Sequence, residues 1–210
     1  MTIKRRIYTS ASEDRLEQLI QLRLENGADK AKIDERIWNL FGEEWSVMFT
    51  DLSGFSRRAS QFGIIHFLQT IYESERILTP IIEEQDGILL KAEGDSFLVI
   101  FRSPLDALEA SLKMQKSLHE YNQTKIEEEK VLLCIGLGHG KILRIGDKDV
   151  FGSQVNFASK LGEDTAKAYE ILVTGSYKSK VENFQGVSFE SIDETFYGDE
   201  KAFKVNYSLS

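Results

Sequence analysis

The stretch ILLKAEGDSFLVIF, residues 88–101, reads as two strands, Ile88–Ala92 and Ser96–Phe101, joined by Glu93, Gly94 and Asp95. Branched and aromatic residues on either side of a Glu-Gly-Asp turn are hairpin chemistry. Upstream, Trp45–Thr50 reads as a strand, and Gly54 begins a helical region that runs to about Gln85 with Pro80 in its last part. Downstream, Pro104 opens a helix in which Leu105, Leu108, Leu112 and Leu118 keep helical spacing to about Asn122. Strands at Val131–Leu137 and Lys141–Ile145, a helix from about Gln154 to Lys167 and a strand at Ile171–Thr174 follow. The order β, α, β, β, α, β predicts an α+β fold with a ferredoxin-like βαββαβ core and helices on one face. Short strands near Val187 and over Phe203–Leu209 extend it.

The 210 residues carry 26 Lys and Arg against 34 Asp and Glu, with 41% hydrophobic residues, which suits one globular domain with a short appendage. No apolar run approaches the ~18 to 20 residues that cross a bilayer. No apolar core follows Lys4, Arg5 and Arg6, so the reading is cytoplasmic. A net charge of −8 argues against nonspecific nucleic-acid binding. A phosphate ligand must therefore meet local positive charge or a metal. Cys134, among Val131, Leu132, Leu133 and Ile135, reads as inert packing. His66, His119 and His139 have no partners at metal-ligand spacing and read as ordinary residues. Residues 1–44 form an N-terminal helical extension ahead of a domain at 45–210. Its two short helices carry Leu16, Leu19, Ile20 and Leu24, then Ile33, Ile37, Leu40 and Phe41, with a break at Asn26-Gly27. Their apolar faces pack on the domain, pair across a dimer, or relay a signal from a regulatory partner.

Three segments are harder to explain as packing. In FTDLSGF (49–55), Asp51 leaves a strand and Gly54 begins a helix. A carboxylate beside a helix N-terminus suits a Mg²⁺-bound triphosphate, or equally a helix cap. In KAEGDSF (91–97), a two-residue Glu93-Gly94 loop would set Lys91 against Ser96 and Ala92 against Asp95, so that Lys91 and Asp95 leave opposite faces of the ribbon. Surface solubility is the plainer reading of those charges. In DVFGSQVNFASKLGED (149–164), Ser153 is placed to cap a helix with Asn156 and Lys160 one turn apart on a shared face. An amide and a cation so placed reach one anionic ligand, or simply line a solvated face.

Together and in this order, the three segments resemble the class III nucleotidyl cyclases, the catalytic domains of adenylyl and guanylyl cyclases, over residues 45–209. The glycine-rich IGLGHG (135–140) lies between the last two segments, and the GGDEF signature of diguanylate cyclases is absent. The resemblance implies that Asp51 and Asp95, with the Leu52 carbonyl, bind two divalent metals, Mg²⁺ or Mn²⁺. It implies that the Gly54 and Phe55 backbone N–H groups take phosphate oxygens, that Lys91 and Asp149 read the purine, and that Asn156 orients the ribose. A donor Lys and an acceptor Asp complement adenine, so ATP is the favoured substrate and 3′,5′-cyclic AMP and pyrophosphate the products. GTP or a pyrimidine nucleotide is the alternative. In this family the metal carboxylates come from one subunit and the base and ribose readers from the other, which implies a homodimer with two equivalent sites. Lys160 stands where the family usually has an Arg that stabilises the transition state. Losing the guanidinium fork is worth on the order of 2 to 4 kcal/mol, so a slow or inactive nucleotide-binding module is the other alternative. Lys201 is only a loose match to the lysine that grips the terminal phosphates.

Overall fold

The computed structural model describes residues 12–54, 61–196 and 199–209. Its central strand is β1 (Gly42–Leu52), which pairs antiparallel with β3 (Ser96–Phe101) on one side and with β4 (Leu133–Ile145) on the other. β2 (Ile88–Glu93) forms the edge beside β3. Helix α3 (Ile64–Glu84) joins β1 to β2, and α4 (Pro104–Asn122) joins β3 to β4. The spatial order β2-β3-β1-β4 is thus the ferredoxin-like arrangement expected from the hairpin. β6 (Ile171–Thr174) adds parallel to β4, followed by β8 (Lys201–Asn206) and β7 (Ser188–Thr195).

Local chemistry sets the helix starts. Ser103 accepts a hydrogen bond from the Asp106 N–H (3.2 Å) with Pro104 in the first turn of α4, and Asp29 accepts from the Lys32 N–H (3.1 Å) to start α2 (Lys30–Phe41). Alternation along the strands then sorts side chains to two faces. Met48, Val99, Phe101, Ile135, Leu137 and Val173 pack under α3, α4 and α6 (Gly175–Val181). Trp45, Val47, Leu98 and Ile100 form a second core with Val155 and Ala158 of α5 (Ser153–Ser159).

Helices therefore cover both faces, not one. The reason lies in β4. Expected as two strands with a break near Gly138, it is continuous, because Gly136, Gly138 and Gly140 serve packing and not a turn. An added Cβ at Gly136 would lie 2.2 Å from the Ala158 carbonyl oxygen and 2.3 Å from the Gly162 N. The missing side chains let α5 lie almost on the strand. The long helix expected here is also shorter, since α5 gives way to a wider π turn at Lys160–Thr165. Two elements were not anticipated: α6 and the three-residue strand β5 (Asp149–Phe151), which pairs with the end of β4. In the region expected to be helical from Gly54, Gln61 and Phe62 are helical, Gly63 interrupts, and α3 runs on from Ile64; residues 55–60 lie outside the described residues.

Helix α1 (Ser12–Leu24) and α2 pack through Leu19, Ile33, Ile37 and Phe41 onto Ile145 at the end of β4. Arg23 grips Asp34 with two bonds, 2.6 and 3.1 Å. Of the readings open for these helices, the described residues show packing on the sheet. None of the described helices is long and apolar enough to cross a membrane.

If the α5–β4 approach holds the second core, Gly136→Ala must push backbone from backbone. A cost of at least about 3 kcal/mol is expected, lowering the melting temperature by roughly 6 to 12 °C. Calorimetry showing a shift below 2 °C would contradict the contact.

Candidate active site

The end of β1 brings Asp51 beside the β2–β3 turn. The turn residues are Gly94 (φ 61°) and Asp95, because Glu93 pairs with Ser96 and Lys91 with Leu98. The expected Glu93-Gly94 loop is thus one residue off, and a separate irregularity shifts the register farther from the turn, between Leu89 and Lys91. Asp95 projects from the turn itself and meets Asp51 within hydrogen-bonding reach, while the Ser96 hydroxyl donates to Asp51 Oδ1 (3.3 Å). Burial, then the charge of Asp95, pushes Asp51 up to about 7. Burial likewise raises Asp95. Two half-buried carboxylates with no cation between them are an electrostatic debt that a divalent ion would cancel. The donor set fits Mg²⁺ or Mn²⁺ held together with a nucleotide: no described cluster has three or more acidic, His or Cys ligands, and such ions commonly take one or two carboxylates and complete their shell with phosphate and water. Leu52 follows as the last residue of β1, with its carbonyl next along the chain from Asp51.

Lys91 does not join that pair. Its Nζ donates to Asp149 Oδ2 (2.8 Å), and Asp149 Oδ1 accepts from the Val150 N–H (2.9 Å). Both line a cavity of about 170 Å³ floored by Phe49, Leu98 and Val155. Lys91 and Asp51 leave the same face of the sheet, since Lys91 lies opposite Leu98, Leu98 opposite Phe49, and Asp51 is two residues beyond Phe49. The opposite faces expected for Lys91 and Asp95 require a Glu93-Gly94 loop, and that expectation falls with Asp95 in the turn itself. The separation of roles remains, because Lys91 partners Asp149 while Asp95 partners Asp51.

Asn156 and Lys160 sit on α5 and just past its end, joined by the Lys160 N–H to Asn156 carbonyl bond. Ser153 makes no side-chain cap; Gly152 holds the N-cap position and Ser153 is the first helical residue. Val155 and Ala158 face the sheet, whereas Asn156 and Lys160 are exposed. Lys160 Nζ lies 5.1 Å from the centroid of the Phe196 ring. Gly54 has φ 71°, and among the described residues nothing lies within 4 Å of where its Cβ would stand; Phe55 lies outside the described residues. Lys201 opens β8 in a surface cleft with Gly175 and Lys178. Glu93, Ser96 and Glu163 also line the cavity and were not read from the sequence as site residues. Ser96 was legible in principle as the residue after Asp95, whereas Glu163 enters through the π turn, which no sequence pattern announces.

Residues read as ordinary behave so. Cys134 is buried and its thiol is pushed up to about 12, mainly by desolvation. His139 is buried between the Ser46 hydroxyl and the Glu44 carboxylate, each at 2.9 Å. The His66 ring contacts the Glu128 carbonyl.

The sequence profile of the adenylate and guanylate cyclase catalytic domain matches residues 42–205. The chain belongs to that cyclase family. A serine/threonine-protein kinase, pkn2 of Myxococcus xanthus, is 31% identical over 129 residues, 61% of this chain and 15% of that protein. The putative adenylate cyclase 3 of Rhizobium meliloti (strain 1021) is 26% identical over 116 residues, 55% of this chain and 20% of that protein. The cyclase chain thus spans 15 to 20% of the aligned relatives' length. The crystal structure of an adenylate/guanylate cyclase/hydrolase from Silicibacter pomeroyi superposes with a TM-score of 0.70 at 20% identity, covering 78% of this chain and 96% of that one. At that identity the match shows a shared cyclase fold.

The raised pair fixes a sign for pH dependence. Both carboxylates hold protons more tightly folded than unfolded, so folding takes up protons between about pH 4 and 7 and their contribution falls as pH rises through that window. Metal-free Asp51→Asn is expected to melt several degrees above the natural chain at pH 8, with the gap shrinking at pH 5. Mn²⁺ should raise the melting temperature of the natural chain at pH 8 far more than that of the variant. A variant that is less stable at pH 8 without metal would overturn this.

Proposed function

We propose that the chain is an adenylyl cyclase that converts ATP to 3′,5′-cyclic AMP and pyrophosphate at sites shared by two copies. The observation that carries the substrate choice is the Lys91–Asp149 pair at 2.8 Å in its cavity. An ammonium donor beside a carboxylate acceptor matches the ring-nitrogen acceptor and amino donor of adenine, while guanine presents the reverse pattern. The raised Asp51–Asp95 pair supports two divalent ions as the partner of the triphosphate. Bound there, Mg²⁺ or Mn²⁺ would neutralise the triphosphate and favour ionisation of the ribose 3′-hydroxyl.

The chain's own residues then do positional work. Asn156 orients the ribose so that O3′ lies in line with the α-phosphorus and the departing pyrophosphate, which makes the step intramolecular. Lys160 supplies positive charge to the phosphoryl oxygens as the bond to pyrophosphate breaks, and the Gly54 and Phe55 N–H groups receive phosphate oxygens. The arrangement favours a homodimer: Asn156 on α5 and Lys160 just past it are exposed, while the half-buried Asp51 and Asp95 pair with each other at a strand end. A two-fold partner brings its carboxylates to them. Residues 1–44 are then an extension, packed through α1 and α2 on the catalytic part at 45–210, that receives a regulatory partner, with the whole acting in the cytoplasm.

A second reading, a slow or inactive nucleotide-binding module, is favoured by Lys160. Its ammonium is already engaged near the Phe196 ring and lacks the guanidinium fork.

With Mn²⁺ and ATP, GTP, CTP or UTP supplied separately, cyclic AMP is expected as the main product, with kcat/KM for ATP roughly 10- to 100-fold above the others. Asp51→Ala should abolish it. Preferred cyclisation of GTP would overturn the role given to Lys91 and Asp149. Absence of any product from protein that binds ATP would establish the second reading.

A further inference from the structure

Gln154 is a buried polar side chain beside the second core, with partners for both the oxygen and the nitrogen of its amide. Its Oε1 accepts from the His139 N–H (3.2 Å) and from the Thr174 hydroxyl (2.9 Å). Its Nε2 donates to Glu200 Oε2 (3.3 Å). Glu200 in turn accepts from the Ser176 N–H and hydroxyl, both at 2.7 Å. These partners come from β4, from the last residue of β6, from the first turn of α6, and from the residue that precedes β8.

The position is built for that side chain. β4 and β6 pair only as far as Leu137 and Val173, so the His139 N–H lies past the end of the parallel ladder. Gln154 fills the gap. A Cβ at Gly138 would fall 2.5 Å from the Gln154 carbonyl oxygen and 3.0 Å from Oε1, and one at Gly140 would fall 3.1 Å from Cγ. Two of the three glycines of the strand therefore make room for this residue. Asn156 lies two positions on along α5, and Lys160 follows one turn later.

We propose that Gln154 is a positioning residue: it fixes α5, and through it Asn156 and Lys160, against β4, β6 and the Glu200 turn. The inference rests on the reading that Asn156 and Lys160 act on the nucleotide. A buried amide that only satisfied stray backbone groups would support stability; one that ties four elements to the start of this helix also sets where its exposed residues point.

The test uses the full chain and compares Gln154→Met, of similar size but unable to make these bonds, with Asn122→Leu. Asn122 is a buried amide bonded both ways to Val131 (2.7 and 2.9 Å) at the far end of α4. Both should lose stability. Gln154→Met should also lower kcat about 10- to 100-fold, with KM for ATP changed less than about threefold, while Asn122→Leu leaves kcat within about twofold. Combining Gln154→Met with Asn156→Ala should cost little more than the worse single change, as for residues acting as a unit. Hydrogen exchange of the nucleotide-free protein is the arm that needs no turnover: amides of residues 153–165 and 199–203 should exchange at least about tenfold faster in Gln154→Met and not in Asn122→Leu. Should Gln154→Met not fold, Glu200→Ala removes one anchor from a half-buried turn and is expected to shift exchange and kcat in the same direction. Equal losses of kcat in the two amide variants, or unchanged exchange over 153–165, would overturn the proposal. A natural chain that forms no cyclic nucleotide sinks the cyclase reading by itself, and the exchange result still decides the bridge.

Discussion

The candidate site depends on the approach of one short helix to one strand with no side chain between them. Ala158 and Gly162 rest against Gly136 at distances that leave no space for a Cβ. Interiors pack at near-crystalline density, so contact this close sets the height and tilt of α5 within tenths of an ångström. That contact places Val155 and Ala158 in the second core with Trp45, Val47 and Leu98. The sheet is thereby sealed on the face that also carries Asp51, Lys91 and the Lys91–Asp149 cavity. The cost is a strand with little side-chain packing of its own on that face, and the helix supplies what the glycines omit.

The same face stores electrostatic tension. Asp51 and Asp95 are held half-buried and together, an arrangement that lowers the stability of the metal-free chain above neutral pH. Lys91 could have relieved that tension but is drawn off to Asp149 by a bond of 2.8 Å. The Asp51–Asp95 pair and the Lys91–Asp149 pair are thus kept apart, because Asp95 lies in the turn while Lys91 pairs with Leu98 on the ladder.

Much of this was legible in sequence, and the failures have physical causes. Alternating apolar residues and the Gly-Asp turn located the hairpin and so the ferredoxin-like core, because strand pairing follows periodicity. Asp51, Lys91 and Asn156 stood out in their segments as polar residues with a chemical alternative to packing, while Asp149 was reached only through the resemblance to the cyclases. The glycines of IGLGHG misled, since glycine marks either a turn or a close approach and only the partner helix distinguishes them. Gln154 looked like any helical polar residue: its partners His139, Thr174 and Glu200 lie 15, 20 and 46 positions away. The π turn that brings Glu163 to the cavity depends on helix packing and carries no local signature.

The most direct measurement of whether two chains share each site is complementation. Asp51→Ala and Asn156→Ala are each assayed alone with Mn²⁺ and ATP, then mixed under conditions that let subunits exchange. A mixed dimer of this kind keeps one intact site, with the carboxylates of one chain and the ribose-orienting residue of the other. Half of a random mixture is mixed dimer, so cyclic AMP formation should return to about a quarter of the natural rate. Two inactive variants that exchange subunits and stay inactive would contradict a shared site.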